Sequence, residues 1–568
     1  MSRLSRIAAG GLVFLPFFCL VVKGQLLNQR PAPRPNQMSQ PATAPNSVPT
    51  FRSSSRLVVV DVVATDHDGK PREGLNKEDF TIIEDGKEQE LRVFERHVPA
   101  TQLAAVPDLH LGPAEFTNFP QQPSNSAVNV VLFDILNTPT EDQLYARQQM
   151  IEFLKTLPHG QRVALFTLGY ELKMVAGFTT STDELIAAAM KVKPGVSPLL
   201  DTEHDLAMED HVQSVLQQGA PSGNMAQMMR DFTEETRLVH TDIRVEKTFE
   251  SLGQLARALS GFTGRKNLLW LSEAFPAAVL PRAPNWQPDS KNYLAVFQKY
   301  SGLIEASQIS VYPIDVRGLR SDMQSLSGVQ ERVSQERAHS VMGSSQLLMR
   351  DVAEQTGGEA FYNGNDLKGA MRRSIEHGST YYTLAYSPEN KKWDGSFRKI
   401  EVKLAHTGIR LDYRRGYYAV PDDPGPRDTA RRMLIAEMQP GVPESTMLLL
   451  RVKVIPDYAT GKVSIDYGIY APDLTFTGDD RKQAKLEFVA VAWNKDNKAA
   501  GDVSQTMDLD LKPETFQKIM NSGVPAHQEL TLKPGSYHLR LGVMDYGNSK
   551  IGTLEVPIVL GNRQTASK

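Results

Sequence analysis

The stretch NVVLFDILNT, Asn129 to Thr138, decides the fold. It is an uninterrupted run of apolar and mostly β-favouring residues that ends in an aspartate and a polar turn, and we predict an amphipathic helix from about Glu141. A continuous apolar strand is typical of a parallel sheet that helices cover on both faces. An acidic residue at the carboxyl end of such a strand lies where open α/β sheets bind ligands. The stretch therefore predicts a doubly wound domain with a binding site at one edge of its sheet.

The length and composition indicate several globular domains. A chain of 568 residues is too long for one core, and roughly three to four domains are expected. Hydrophobic residues make up 40% and charged residues 23%, as in ordinary globular proteins. The net charge of −3 gives no support to a nucleic-acid-binding or anionic-membrane surface.

Residues 1–24 have the order of a secretory signal peptide. Arg3 and Arg6 precede the apolar segment Ile7 to Val22, and the small residue Gly24 follows it. A retained membrane anchor is the alternative, but the segment is short for a bilayer and is interrupted by glycine and proline. The only cysteine, Cys19, lies within it, so the mature protein would contain no thiol. We therefore predict an exported protein without disulfides, located in the periplasm, at the cell surface or in the medium.

Small β modules are predicted on both sides of the central region. Residues 25–54 are rich in proline and polar residues and predict a disordered linker. Residues 55–98 predict a small β module, with a hairpin turn at Asp85-Gly86. Residues 98–126 are rich in proline and are predicted to run across the surface. The strands of the small β module at residues 55–98 are predicted at Leu57–Ala64, Phe80–Glu84 and Gln89–His97.

The central region, residues 127–385, alternates strands and helices. Such repeated βα units predict a doubly wound, mostly parallel sheet. Insertions at 195–240 and 317–345 are expected to decorate its binding face. Besides the first strand, we predict strands at Val163–Leu168, Leu172–Val175, Asn267–Glu273, Ile309–Asp315 and Glu359–Tyr362, and helices near 141–157, 244–260, 292–307, 345–356 and 366–375.

After Tyr381 the pattern becomes β again. Residues 386–420 predict a β extension that closes the central unit, and residues 428–568 predict a C-terminal β-sandwich of immunoglobulin or fibronectin type. The predicted fold class is thus multidomain, with a central α/β doubly wound domain flanked by small β-sandwich-like modules.

Familiar enzyme motifs are absent from the sequence. None of the three Gly-Lys pairs is followed by serine or threonine, and neither His-Glu-x-x-His nor Gly-x-Ser-x-Gly occurs. A single cysteine excludes thiolate metal sites. We therefore predict a protein that is not an enzyme.

Oxygen-bearing side chains cluster at the predicted sheet edge. Asp134 and Thr138 flank the turn after one strand, and Ser272 and Glu273 end a neighbouring strand. Carboxylate and hydroxyl oxygens are the ligands that hard cations such as Mg²⁺ prefer, with a coordination position left for a partner's carboxylate. A competing interpretation is that Asp134 only caps the helix that follows.

Residues 127–385 resemble a von Willebrand factor type A domain, and the whole chain resembles the VWFA-related domain family of secreted bacterial proteins. In that family a short β module precedes the A domain. The blocks that carry the resemblance are KEDFTIIEDGK (Lys77 to Lys87), Asp134 to Thr140, Ala146-Arg147-Gln148-Gln149, Gly264-Arg265-Lys266-Asn267 and Tyr312-Pro313-Ile314-Asp315.

The resemblance implies a metal-ion-dependent adhesion site, which uses Asp-x-Ser-x-Ser after the first strand. Asp134 matches its aspartate and Thr138 its last hydroxyl, but Leu136 replaces the middle serine, and Asn137 could substitute only if the turn shifts. Thr248 is the candidate for the family's second-loop threonine, with Thr241 as the alternative, and Glu273 stands at the usual position of an aspartate. The implied ligands of Mg²⁺ or another divalent cation are Asp134, Thr138, Thr248 and Glu273, with Asn137, Ser272 and Asp315 as supporting residues.

Two binding functions remain from this reasoning. In the first, the chain is an adhesion-type protein, and an acidic side chain of a protein partner completes the coordination of the ion. In the second, it is a metal-independent scaffold that binds through its insertions and β-sandwich faces. A hydrolase acting on a surface polymer is a third possibility that no motif supports. Neither nucleic acid nor a membrane beyond the signal peptide is an expected partner.

Overall fold

The computed structural model describes residues 57–98, 110–120, 127–158, 160–197, 199–200, 223–273, 293–318, 346–421 and 427–561. The chain divides into two compact units, Met1–Ala44 and Pro45–Lys568, and the first lies outside the described residues. The predicted signal peptide and linker also lie outside them, as do parts of both predicted insertions.

Strands dominate the described residues, and helices accompany the central sheet. The strands are β1 (Val58–Thr65), β2 (Phe80–Glu84), β3 (Lys87–Gln89), β4 (Leu91–His97), β5 (Glu115–Thr117), β6 (Val128–Asp134), β7 (Val163–Leu168), β8 (Leu172–Thr179), β9 (Lys266–Ser272), β10 (Ile309–Asp315), β11 (Tyr381–Tyr386), β12 (Phe397–Leu404), β13 (Arg410–Asp412), β14 (Gly416–Tyr418), β15 (Leu450–Asp457), β16 (Lys462–Ile469), β17 (Lys482–Asn494), β18 (Ala499–Leu511), β19 (Val524–Thr531), β20 (Gly535–Asp545) and β21 (Ile551–Leu560). The α-helices are Thr140–Lys155, Thr182–Lys191, Gly223–Leu259, Tyr293–Ala306, 346–356, Leu367–Ser379, Arg427–Glu437 and Pro513–Ser522, and short 3₁₀ helices lie at Lys77–Asp79 and Ala471–Asp473.

The central sheet has five strands in the order β10-β9-β6-β7-β8. Four of them are parallel, and β8 runs antiparallel to β7 at one edge. Counted from β6, the order is that of a doubly wound sheet, as the sequence predicts. The strand predicted at Glu359–Tyr362 is reduced to one parallel bridge between Ile314 and Phe361.

Strand β6 is apolar from Val130 to Phe133 because helices cover both of its faces. All seven residues are buried. Val130 and Leu132 join one apolar core with helix Gly223–Leu259, whereas Val131 and Phe133 join a second core on the opposite face. Successive strand residues point to opposite faces, so a strand between two helical layers needs apolar side chains at every position.

The predicted β extension at 386–420 is wrong as a part of the central unit. Strand β11 pairs with β1 and β4, and β12 pairs with β2. These strands build two four-stranded sheets, β13-β1-β11-β4 and β14-β12-β2-β3, which share one apolar core. The chain thus returns from the central domain to complete the first β module, a pairing between distant segments that local patterns do not encode.

Two further four-stranded sheets form the C-terminal module. Their orders are β19-β16-β15-β5 and β18-β17-β20-β21, and their facing residues form one core. Strand β5 belongs to the segment predicted to run across the surface; instead it pairs with β15 in this module.

Buried polar contacts connect the central domain to both β modules. On the C-terminal side, Arg257 Nη2 lies 2.6 Å from Glu437 Oε1, with both side chains buried. On the other side, Tyr312 OH accepts from Arg265 Nη2 at 3.0 Å and lies 3.0 Å from His377 Nδ1. His377 Nε2 lies 3.1 Å from Asp412 Oδ2 of β13. Burial lowers the pKa of His377, but Tyr312 and Asp412 outweigh it and raise this pKa to about 9.

Candidate functional site at the carboxyl edge of the central sheet

Neighbouring parallel strands bring the candidate residues to one edge. Asp134 ends β6, and Ser272 ends β9, which pairs directly with β6. Asp315 ends β10 and lies opposite Ser272 in the register. The predicted shared edge is therefore present.

The turn after β6 determines which side chains reach this edge. The backbone N–H groups of Ile135 and Leu136 both donate to the carbonyl oxygen of Leu168, at 2.8 and 2.9 Å. Leu136 is buried in the apolar core beside β6. The position of the adhesion motif's middle serine thus serves packing, and Asn137 is the next residue that turns towards Asp134.

Asp134 is the centre of a buried hydrogen-bond cluster. Its Oδ1 accepts from the backbone N–H and the side-chain Nδ2 of Asn137, at 2.9 and 3.2 Å. Its Oδ2 accepts from Asn137 Nδ2 at 2.9 Å, Trp270 Nε1 at 2.9 Å and Ser272 Oγ at 3.0 Å. Asp134 therefore closes its own turn and binds the end of β9. It does not act as the side-chain cap of the helix that begins at Thr140.

Burial and hydrogen bonding shift the pKa of Asp134 in opposite directions. Burial, the larger effect, raises its pKa because the charged form loses hydration. The donors on Asn137, Trp270 and Ser272 lower it because they stabilise the carboxylate. The net pKa lies above the usual value, so the neighbouring donors only partly offset the cost of burying this charge.

The Asn137 amide connects Asp134 to Thr248. Its Nδ2 donates to the carboxylate and also to Thr248 Oγ1, at 3.1 Å. Of the two threonines proposed for the second loop, the structure thus places Thr248 in the cluster. Asn137 Oδ1 is buried and has no hydrogen-bond partner among the described residues.

The remaining candidates lie next to this cluster. Thr138 Oγ1 accepts from the backbone N–H of Glu273 at 3.2 Å, which joins the turn after β6 to the end of β9. Both carboxylate oxygens of Asp315 accept hydrogen bonds from Arg317, from Nε at 2.9 Å and from Nη2 at 2.7 Å. The pKa of Arg317 is raised: burial lowers it, but Asp315 and the charges of Glu273 and Asp142 outweigh that effect.

The arrangement does not fit a divalent cation bound directly by these side chains. A carboxylate offers about four lone-pair sites, and Asp134 already accepts from four donor groups, two of Asn137 and one each of Trp270 and Ser272. The hydrogens of the Asn137 amide lie between Asp134 and Thr248, where a cation would need oxygen ligands. The Asn137 amide nitrogen thus joins Asp134 to Thr248, as a cation would in an adhesion site.

A second group of acidic and imidazole side chains lies elsewhere. Ligand atoms of Asp66, His67 and Asp68 lie within 4.8 Å of one another. They belong to an exposed turn in which Asp66 Oδ1 accepts from the backbone N–H groups of Asp68 and Lys70. The hydrogen bonds account for the turn.

Exposed apolar side chains surround the carboxyl edge. Tyr170 follows β7 and is 59% exposed, Val196 is 74% exposed, and Leu144 in the first helix is 53% exposed. The loop that carries Val196 is held to this helix because Gln143 exchanges two hydrogen bonds of 2.9 Å with Gly195. We call Leu144, Tyr170 and Val196 the apolar rim.

Sequence reasoning missed one member of the cluster and gave another a different role. Trp270 was counted only as part of a buried strand, although a buried indole N–H needs an acceptor. Asn137 was considered as an ion ligand, whereas its amide is the donor that joins Asp134 to Thr248. The sequence does contain a signal for this contact: Trp270 lies two residues before the end of β9, and the neighbouring strand β6 ends in Asp134.

Comparison with known proteins gives a distant likeness. No protein-family model and no curated relative matches the chain. Among solved structures, a von Willebrand factor type A protein from Catenulispora acidiphila is 8% identical and covers 85% of this chain and 77% of its own, with a TM-score of 0.21. The ArnB paralog VWA2 from Sulfolobus acidocaldarius is 10% identical over 89% of this chain and 76% of its own, with a TM-score of 0.19.

A third similar structure, an aerotolerance-related membrane protein from Bacteroides fragilis, is 12% identical over 44% of this chain and 98% of its own, with a TM-score of 0.22. Solved structures similar to this chain thus include von Willebrand factor type A proteins, at low identity and low structural similarity.

Proposed function

We propose that this chain is an exported binding protein whose central domain recognises a protein partner at the carboxyl edge of its sheet, without a directly coordinated metal ion. The observation that carries the proposal is the Asn137 amide, which donates to both Asp134 and Thr248. Hydrogen bonds within the protein thereby hold the edge in place. The proposal shares its metal independence with the scaffold inferred from the sequence, but it places binding at the sheet edge and not on the insertions and β-sandwich faces.

The apolar rim supplies the contact surface in this proposal. Loops at the carboxyl ends of parallel strands are the usual binding position of open α/β sheets. Single exposed apolar residues are common, but several around one ligand-binding edge favour an interaction site. The rim residues Tyr170 and Val196 offer apolar surface next to a rigid polar centre, a combination suited to protein recognition.

A binding role fits the cluster better than catalysis. Asp134 is only 1% exposed, and its oxygens accept from Asn137, Trp270 and Ser272. A general base must reach a proton of its substrate, and these donors occupy the carboxylate. We therefore propose a positioning role for Asp134.

Export follows from the predicted signal peptide, which lies outside the described residues. Within the described residues, no helix has both the length and the apolar character that a membrane crossing requires. Mass measurement of protein secreted from its native host would test the predicted cleavage after Gly24.

Metal dependence is tested by thermal unfolding of the mature protein in Mg²⁺, Mn²⁺ or EDTA. We expect the same unfolding temperature in all three, because a ligand stabilises only a protein that binds it. A midpoint that rises with metal in the wild type, and loses this response in Asp134→Ala, would instead establish the adhesion-type ion site and refute the proposal.

The apolar rim is tested by capturing partners from the native host's envelope fraction with immobilised protein. Tyr170→Ser should reduce the recovered partner at least tenfold, with the same result in Mg²⁺ and in EDTA. Tyr458→Ser is the matched control, because Tyr458 is 60% exposed but belongs to the C-terminal module. Equal loss in both variants, or loss only in the control, would place the binding surface elsewhere.

A further inference from the structure

A cavity of about 110 Å³ lies on one face of the central sheet, behind the Asp134 cluster. Its walls come from three helices, from β9 and β10, and from the first β module. The side chains that define it include Leu252, Trp270, Val311, Leu348 and Arg414. Four of these are apolar and buried, so apolar side chains form the inner wall of the cavity, which is partly open to solvent.

The apolar walls determine what such a space can hold. Polar residues such as Thr248, Gln308 and Thr356 also line the cavity, but most of its wall surface is apolar. Apolar cavities in proteins bind small apolar molecules. A dry cavity of about 150 Å³ holds benzene, and the present one is somewhat smaller. Its occupant would therefore be a compact molecule of about six heavy atoms by the same comparison.

Arg414, in the cavity wall, has two buried nitrogens, Nε and Nη1, that make no hydrogen bond to the described residues, although Nη1 is paired electrostatically. Arg414 is buried, and its Nη1 lies 2.5 Å from Glu305 Oε1. Its Nε–H, however, is buried without an acceptor among the described residues. Leaving a buried donor unpaired is costly, so an oxygen acceptor on the occupant would restore what Arg414 lacks.

Charge in the wall excludes an ionised occupant. Glu305 already balances Arg414, and Asp61, which also borders the cavity, accepts from Thr383 Oγ1 at 2.7 Å. An anionic ligand would meet these two carboxylates in a space of low polarity and would lose its hydration. A neutral carbonyl or hydroxyl group is the acceptor that fits.

We propose that this cavity is a binding site for a small neutral apolar molecule that carries one oxygen acceptor, with Arg414 Nε–H as its polar anchor. The site shares two side chains with the Asp134 cluster. Trp270 lines the cavity with its ring and donates to Asp134 through Nε1, and Thr248 lines it while accepting from Asn137. An occupant of the cavity therefore contacts the groups that hold the sheet edge.

The test uses mature protein labelled with 5-fluorotryptophan, which gives a fluorine signal for each of the four tryptophans. Trp270→Phe identifies the signal of Trp270. Cyclopentanone is the probe, with cyclopentane as the purely apolar molecule and cyclopentanecarboxylate as the anion. We expect cyclopentanone to shift the Trp270 signal to saturation, to leave Trp393 and Trp493 unchanged, and to bind about tenfold tighter than the other two, the value of one hydrogen bond.

Two kinds of variant separate the cavity from its anchor. Leu252→Phe and Val352→Phe each place a ring in the cavity from a different helix and should abolish the response of Trp270 while the protein stays folded by circular dichroism. Arg414→Lys keeps the charge opposite Glu305 but removes Nε–H, and should weaken cyclopentanone about tenfold without affecting cyclopentane.

Two results would overturn the assignment. No saturable change at Trp270 with any of the three molecules would show that the cavity is not a ligand site. Equal binding of cyclopentane and cyclopentanone, unchanged in Arg414→Lys, would remove Arg414 as the anchor and with it the proposed ligand class.

Discussion

Replacing Asp134 by asparagine distinguishes a hydrogen-bond centre from an ion site. In the structure, Oδ2 of Asp134 accepts from Trp270 Nε1, Asn137 Nδ2 and Ser272 Oγ. In Asp134→Asn, an amide NH₂ group would face these donors. Ser272 can rotate and accept instead, and Asn137 Nδ2 keeps the oxygen at the Oδ1 position as an acceptor, so only the indole N–H of Trp270 loses its partner. In the reverse orientation of the new amide, only the backbone N–H of Asn137 loses its acceptor.

The magnitude follows from the one donor that is stranded in either orientation. A buried donor without an acceptor costs about 1–3 kcal/mol, and removal of the buried charge returns part of this because burial has raised the pKa of Asp134. We expect a net loss of about 2 kcal/mol, which for a domain of this size lowers the unfolding temperature by about 4–8 °C. In an ion site without its ion, the same substitution removes repulsion and should leave stability unchanged or raise it.

The assay is thermal unfolding in EDTA and in Mg²⁺, followed by circular dichroism, for wild type, Asp134→Asn, Trp270→Phe and the double variant. In the Trp270→Phe background the stranded indole donor is absent, so Asp134→Asn should cost about 1–3 kcal/mol less than in wild type. A destabilisation that appears only in Mg²⁺, or an Asp134→Asn protein as stable as wild type in EDTA, would refute the hydrogen-bond account.

Three further perturbations test buried contacts, two of them between the modules and one within the central domain. Folding raises the pKa of His377 from 6.5 to about 9, so the stability that its protonation contributes is complete below pH 6.5 and is lost as the pH rises through 9. Over this range, urea titrations should show that wild type loses about 3 kcal/mol more stability than His377→Gln. Burial lowers the pKa of Lys266 to about 7, and its opposite contribution cancels because it is the same in both proteins. Glu437→Leu should cost about 3–5 kcal/mol by leaving Arg257 buried and unpaired, whereas Arg257→Met combined with Glu437→Leu should be nearly neutral; equal stability of the single and double variants would contradict this. Gly358→Ala should sharply reduce the yield of folded protein because its Cβ would overlap a backbone carbonyl oxygen of β10, and unchanged yield and melting temperature would contradict that packing.

Local patterns were sufficient to predict the central sheet. Strands β7 and β10 begin and end at the residues predicted for them, since burial on both faces demands a mostly apolar run. The same reasoning failed for 386–420, because strands of the first β module come from both sides of the central domain. A strand's own sequence records that one face is buried, but not which distant strand covers it.

The sequence predicted where the candidate site lies but not which side-chain contacts form it. The topology of parallel strands fixes where Asp134 and Ser272 must meet, so their shared edge follows from the sequence alone. What lies between them depends on side-chain direction in one turn. Leu136 points into the core, and this orientation brings the Asn137 amide to Asp134. Whether this edge binds a metal ion or forms a hydrogen-bonded cluster can therefore depend on which residue of a single turn faces the carboxylate. Metal titrations of wild type and Asp134→Asn distinguish the two arrangements.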